Sequence, residues 1–167
     1  VSVRGMLTDH YNPTNKTVNL SEAVYSQRNI TSTAVAAHEC GHAVQHATSY
    51  RFLQFRSKLV PVVNIASKFS TWVLLAGIAI INISPLLLFA GICLLAGSTL
   101  FSLGTLPVEF DASNRALAWL ESSNLTNREE HDSAKKGLKW AAMTYVVAAL
   151  GSVGVLFYYL SIYLKRR

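Results

Sequence analysis

Charged side chains are scarce in this chain of 167 residues: Asp, Glu, Lys and Arg make up 14% of it, whereas hydrophobic residues make up 51%. An average soluble domain has about 25% charged residues. This shortage of charge excludes an ordinary soluble surface and indicates contact with lipid. The excess of 15 Lys and Arg over 9 Asp and Glu is typical of side chains beside membrane headgroups.

A basic stripe of the kind that binds nucleic acid is also lacking. Basic residues occur singly or in pairs until Lys165, Arg166 and Arg167, so the sequence predicts no nucleic-acid partner. The only cysteines, Cys40 and Cys93, form no recognisable disulfide framework. No signal peptide is recognisable at the start. Because the chain opens with Val1 rather than Met, we expect that a segment preceding it is missing.

Three long apolar runs contain almost no charged residues. Residues 64–83 contain one charge, Lys68, while 86–106 and 141–164 contain none. Each run is about 20 residues or longer, the length that crosses a bilayer. The Asn-Ile-Ser-Pro turn at 82–85 joins the first two into a predicted transmembrane hairpin. The alternative, a buried hydrophobic hairpin in a soluble protein, fits this length less well.

The predicted topology follows from counting crossings. The regions are a polar N-terminal part at 1–63, the hairpin at 64–106, a polar helical part at 107–139, and a third transmembrane helix with a basic tail at 140–167. A hairpin returns the chain to the face it left, so both polar parts share one side of the membrane. Basic residues near the crossings are more numerous on that side, which predicts that the face carrying both polar parts is cytoplasmic.

Short elements are expected in the polar parts. Apolar and polar residues alternate over Thr17–Ser21, which predicts a β-hairpin or an edge strand. Residues 29–50 are rich in alanine and predict a helix. Residues 107–125 predict a separate amphipathic helix. The fold class is therefore mainly α and integral to the membrane, with about three transmembrane helices and a small helical domain that includes the short hairpin or edge strand.

The helix at 29–50 carries the sequence His38-Glu39-Cys40-Gly41-His42. Histidines four positions apart stack on one helix face and can both reach one Zn²⁺ ion. Glu39 projects about 100° away from His38, where it can take a proton from water that zinc has made acidic. This H-E-x-x-H pattern is typical of metalloproteases, although a surface helix can carry it by chance.

A catalytic zinc ion also needs a third protein ligand. His46 lies two turns from His38, about 12 Å along the helix, which is too far to share the ion. We therefore interpret His46 as a packing residue or a hydrogen-bonding neighbour of the ligands. Glu109 and Asp111 are better candidates, because both follow the second crossing on the same side of the membrane. The alternative is that these carboxylates merely favour the start of a helix.

Four stretches resemble the YugP-like membrane neutral zinc metallopeptidases: TDHYNPTNKTVNLSEAVY, VAAHECGHAVQHA, LVPVVNIAS and LPVEFDASNRAL. The resemblance covers most of the chain and implies a bacterial, multi-pass cell-membrane enzyme. The arrangement of these residues is also similar to that of HtpX-like gluzincins. This similarity implies one Zn²⁺ per chain held by His38, His42 and Glu109, with Glu39 as the base. Those enzymes have E-x-x-A-D, but Ser113 replaces the final aspartate here, so Ser113 or Asp111 becomes a candidate for orienting a histidine.

The sequence thus predicts a membrane-bound zinc metallopeptidase that cleaves a peptide or membrane-protein substrate through zinc-activated water. Residues 1–63 would be its small zincin-like part, and the active-site face would be cytoplasmic. Its partners would be that substrate and the lipid bilayer; no oligomeric state is predicted. An extended substrate could pair with the strand at Val18, Asn19 and Leu20, with His10 in the preceding turn nearby. One alternative is a non-catalytic membrane scaffold with a structural or vestigial zinc site. Another, a small transporter or channel subunit, is disfavoured because the crossings contain almost no ionisable residues.

Overall fold

The computed structural model describes residues 1–165, so Arg166 and Arg167 of the predicted basic tail lie outside the described residues. Within this range the strands are β1 (Ser2–Val3), β2 (His10–Asn12) and β3 (Thr17–Ser21). The helices are α1 (Glu22–Ser26), α2 (Ile30–Ala47), α3 (Arg51–Ala79), α4 (Leu86–Ser122) and α5 (Arg128–Leu164). The predicted mainly α fold is confirmed.

The chain divides into two compact units, and each helix longer than α2 contributes to both. The first unit consists of Val1–Gln54 and Leu106–Thr144. It contains the sheet, α1, α2 and the polar ends of the long helices. The second unit consists of Phe55–Thr105 and the residues from Tyr145 onward. It contains the most apolar parts of α3, α4 and α5.

The sheet of the first unit has the strand order β1-β3-β2. β2 and β3 form the predicted antiparallel hairpin, with Tyr11 opposite Val18. β1 pairs with β3 in parallel, with Ser2 opposite Leu20. The alternative prediction of an edge strand is therefore wrong, because β3 is paired on both sides. A peptide pairing at Val18, Asn19 or Leu20 on the side away from β2 would have to displace the contacts that β1 and Val1 make with Val18 and Leu20.

Capping side chains mark the starts of two helices in the first unit. Asn29 caps α2, since its side-chain oxygen accepts a hydrogen bond from the Ser32 backbone N–H. Before α5, Asn127 and Glu130 form a reciprocal capping box, in which each side chain accepts a hydrogen bond from the other residue's backbone N–H. These caps satisfy donors that have no partner inside the helix.

Small side chains form the core where the helices of the first unit meet. The buried residues come from α2, α4 and α5 and are Ala34, Ala37, Ala116, Leu120, Ala134 and Leu138. Alanine favours helix and has no side chain beyond Cβ, so helix backbones can approach one another closely. This packing fixes α2 against the C-terminal part of α4, which is the helix pair that builds the site described below.

α4 runs without interruption from Leu86 to Ser122, with Pro107 inside it. The prediction of a separate helix beginning near 107 is wrong, and so is the expectation that Glu109 and Asp111 stand at a helix start. Proline removes one backbone hydrogen bond and distorts the preceding turn. The helix nevertheless continues through Pro107 to Ser122. The dipole of a helix start therefore does not explain these carboxylates.

The second unit contains the apolar segments predicted to cross the membrane. Three helices, α3, α4 and α5, are long and apolar enough to do so. Leu74, Leu88 and Ile92 form its buried cluster. A Cβ added at Gly77 would lie 2.6 Å from the Leu88 Cα, so only glycine permits this close contact between α3 and α4. Little of each apolar window is buried within the protein, as expected for helices surrounded by lipid.

Candidate metal centre

Two imidazoles and one carboxylate converge between α2 and α4. His38 and His42 are one turn apart on α2, and Glu109 faces them from α4. Their potential ligand atoms all lie within 4.8 Å of one another. The Glu109 Oε2 atom is 3.3 Å from His38 Nε2 and 3.5 Å from His42 Nε2. The structure therefore brings together the three residues for which the sequence predicts metal binding.

The donor set and its spacing fit zinc. Zinc takes imidazole nitrogen and carboxylate oxygen at about 2.0–2.2 Å, usually in tetrahedral geometry, which places neighbouring ligands roughly 3.4 Å apart. The distances of 3.3 and 3.5 Å from Glu109 to the two imidazoles agree with this spacing. Glu109 is only 2% exposed and His42 only 8%. A buried carboxylate is costly without positive charge nearby, and a divalent cation would supply that charge.

Glu39 lies in the same buried environment, 8% exposed. Burial raises the pKa of its carboxyl above the ordinary value of 4.5, while His42 and His38 act in the opposite direction. Glu39 is not one of the three residues whose ligand atoms converge. Its place directly after His38 and its burial suit a group that exchanges protons beside a metal rather than one that binds the metal.

Each histidine of the group has a hydrogen-bonding partner at its other ring nitrogen. His38 Nδ1 is 3.1 Å from the Ser113 hydroxyl, and His42 Nδ1 is 3.0 Å from Gln45 Oε1. Burial lowers the pKa of His42, but the adjacent Glu109 carboxylate raises it by hydrogen bonding and charge, and the net shift is upward. In both histidines, Nε2 is the ring nitrogen that faces Glu109.

The remaining predicted site residues lie around this group. Asp111 Oδ2 accepts hydrogen bonds from Gln45 Nε2 at 2.8 Å and Arg115 Nε at 2.6 Å. His46 Nδ1 is 2.7 Å from the Tyr11 hydroxyl. His10 is exposed, and its Nδ1 is 2.7 Å from the Thr8 carbonyl oxygen. Asp111 and His46 are therefore engaged by other side chains and do not join the three converging ligand atoms.

Sequence reasoning missed Gln45 and Gly41. Gln45 is fully buried and contacts both helices of the site. Its position three residues after His42 is a weak signal, because any helix places such residues side by side. A Cβ added at Gly41 would lie 2.5 Å from the Ala112 carbonyl oxygen. The glycine between the two histidines therefore lets α2 approach α4 closely enough for Glu109 to reach them.

Gly41→Ala should consequently destabilise the first unit and disturb the site. The added methyl group would meet backbone atoms of α4, so the helices must separate. Overpacking lowers the free energy of unfolding by about 1–3 kcal/mol, whereas the better helix propensity of alanine raises it by about 1 kcal/mol. We expect a lower midpoint of thermal unfolding. The matched control is Gly137→Ala on α5, where a Cβ meets nothing within 4 Å. Equal stability of the two variants would contradict this interpretation.

Comparison with known proteins agrees with this geometry. A family described as "Putative neutral zinc metallopeptidase" matches residues 1–164. The chain belongs to this family. It is also 44% identical to a protein named "Putative membrane protease YugP" from Bacillus subtilis (strain 168) over 165 residues, covering 99% of this chain and 72% of the relative. No solved structure matches the chain.

Family membership and the structure together make this chain a membrane protein of the zinc metallopeptidase type. The family name implies zinc, and the structure supplies a group that could bind a metal in His38, His42 and Glu109. The resemblance to YugP-like proteins noted in the sequence is confirmed.

Proposed function

We propose that this protein is a membrane-bound zinc metallopeptidase that hydrolyses peptide bonds, with one Zn²⁺ per chain. The observation that carries the proposal is the convergence of His38, His42 and Glu109 within 4.8 Å, with the buried Glu39 adjoining His38. Three protein ligands leave a coordination position for substrate or water, as catalytic zinc sites require. A structural zinc site would normally be closed by four protein ligands.

Each side chain of the site has a distinct proposed role. His38 and His42 would hold the ion through Nε2, and Glu109 through its carboxylate, which makes the site gluzincin-like. A zinc ion bound there would supply Lewis acidity, polarising the scissile carbonyl and making water more acidic. Glu39 would accept the proton from the attacking water at its carboxylate and deliver it to the leaving amine.

The substrate class follows from the location of the site. Helices able to cross a membrane belong to the same chain, so we propose peptides at the membrane surface or segments of membrane proteins as substrates. The central position of β3 leaves β2, at His10–Asn12, as an outer strand of the sheet where an extended peptide could pair. The Tyr11 backbone on this strand already hydrogen-bonds Glu39, so such a peptide would lie beside the proposed base. A bacterial cell membrane and a cytoplasmic site complete the proposal; the distribution of basic residues supports that orientation.

Metal removal tests the function directly. We expect protein purified in detergent without chelators to contain zinc and to cleave a fluorogenic peptide library. Chelation should abolish cleavage, and added Zn²⁺ should restore it, because the proton transfer by Glu39 has no acidified water to act on without the ion. Elemental analysis and the cleavage rate provide the measurements. Bound zinc without cleavage of any peptide would favour the scaffold alternative, and cleavage that survives complete zinc removal would exclude the proposed chemistry.

A further inference from the structure

We propose that Gln45 is a positioning residue that keeps the His42 proton on Nδ1 and so presents Nε2 to the metal. This inference rests on the proposed function, because it concerns how a ligand of the same site is oriented. Gln45 is fully buried, although glutamine is mostly found exposed. A buried amide must have its hydrogen bonds satisfied, and the partners of Gln45 connect the two helices of the site.

Three hydrogen bonds define the orientation of the amide. Gln45 Nε2 donates to the Val108 carbonyl oxygen and to Asp111 Oδ2, both at 2.8 Å. Gln45 Oε1 lies 3.0 Å from His42 Nδ1. The first two partners are acceptors only, so they require the NH₂ group and exclude the flipped amide, which would face both with its oxygen. The amide oxygen must therefore face His42.

This orientation determines the His42 tautomer. An amide oxygen can only accept a hydrogen bond, so Nδ1 of His42 must carry the proton and donate it. In a neutral imidazole the proton on Nδ1 leaves a lone pair on Nε2. That atom is 3.5 Å from Glu109 Oε2, in the group whose ligand atoms converge. Gln45 thus selects the tautomer that can bind a metal at the site.

Asp111, which is itself hydrogen-bonded to Arg115, fixes the position of the Gln45 amide. Asp111 Oδ2 accepts from both Gln45 Nε2 and Arg115 Nε, and the Arg115 guanidinium lies 5.8 Å from the centre of the Tyr50 ring. This gives Asp111 a role through Gln45 rather than on the metal. The partner of His38 differs, since the Ser113 hydroxyl can either donate or accept. Ser113 therefore does not fix the tautomer of His38, whereas Gln45 fixes that of His42.

The first test replaces Gln45 by methionine, which has similar length but no hydrogen-bonding amide. The probe is Zn²⁺ itself, with its dissociation constant measured by competition with a chromophoric chelator. We expect Gln45→Met to bind Zn²⁺ about 10–100-fold more weakly, the usual effect of losing the partner of a ligating histidine. The matched control is Gln54→Met, at an exposed position on α3, which should bind zinc normally.

A second variant separates tautomer selection from simple attachment of α2 to α4. In the double variant Gln45→Glu with Asp111→Asn, the total charge is unchanged. One oxygen of the introduced carboxylate can accept a hydrogen bond from His42 Nδ1, and the other can accept one from the introduced amide on α4. The hydrogen bond to the Val108 carbonyl oxygen is lost. We expect the double variant to regain most of the zinc affinity that Gln45→Met loses.

A spectroscopic measurement completes the experiment. In zinc-loaded protein labelled with ¹⁵N-histidine, the Nδ1-bound proton of His42 should exchange slowly in the unaltered chain and in the double variant, but rapidly in Gln45→Met. Unchanged zinc affinity in Gln45→Met would overturn the role of Gln45 but not the proposed function. A folded double variant that binds zinc no better than Gln45→Met would have the same consequence. Absence of zinc binding by the unaltered chain would overturn the proposed function as well.

Discussion

Glu39→Gln is expected to reduce peptide cleavage by about 10²–10⁴-fold, the usual contribution of a general acid–base group, while zinc remains bound. Glutamine has nearly the same size and shape as glutamate, so the buried position stays filled. It cannot accept a proton at neutral pH, and the proton from the attacking water would have no acceptor at this position. The measurements are the cleavage rate and the zinc content of the same preparation.

The matched control is Glu22→Gln, an identical exchange at an exposed position on α1. It should retain both cleavage and zinc. Loss of zinc in Glu39→Gln would instead identify Glu39 as a ligand. Full cleavage in that variant would remove Glu39 from the mechanism and leave proton transfer to another group. A non-catalytic scaffold would instead show no peptide cleavage even in the unaltered chain.

Glu109→Ala is expected to weaken zinc binding by more than about 100-fold, because loss of an outer hydrogen-bonding partner alone commonly costs 10–100-fold. The substitution removes the only carboxylate among the three converging residues. It also removes the negative charge that offsets a cation in a buried site. Chelator competition gives the affinity, and the unfolding midpoint of zinc-free protein shows whether the fold survives the smaller side chain.

Glu121→Ala provides the control, since Glu121 is exposed near the end of the same helix. It makes the same change in charge and side chain away from the site. Unaltered zinc affinity in Glu109→Ala, together with its loss in Asp111→Ala, would transfer the ligand role to Asp111. The hydrogen bonds that Asp111 accepts from Gln45 and Arg115 argue against that outcome.

Local spacing explains why part of the site could be predicted from the sequence. His38 and His42 are ligand candidates because four positions correspond to about one helical turn, whatever the rest of the fold. Glu109 required more: counting the crossings predicted that two carboxylates share a side of the membrane with α2, and only the family resemblance favoured one of them. The structure separates the two, since Glu109 faces the histidines while Asp111 faces Gln45 and Arg115.

Features that depend on distant partners could not be predicted in this way. The partners of Gln45 on α4 lie more than 60 positions along the chain, so nothing near Gln45 in sequence reveals its burial. The continuity of α4 was missed because Pro107 is normally a sign of a helix boundary. The central position of β3 depends on pairing with β1, a strand of only two residues that has almost no sequence pattern.

The spacing of contacts on the two helices also determines where the chain can change length. On α2, the groups at 38, 41, 42 and 45 all face α4, and on α4 the groups at 108, 109, 112 and 113 face α2. Inserting or deleting one residue within either set would rotate everything beyond it by about 100°. Such a change would turn some of these groups away from the rest. Homologous chains should therefore tolerate insertions in the turn between β2 and β3, but keep both helical sets free of them.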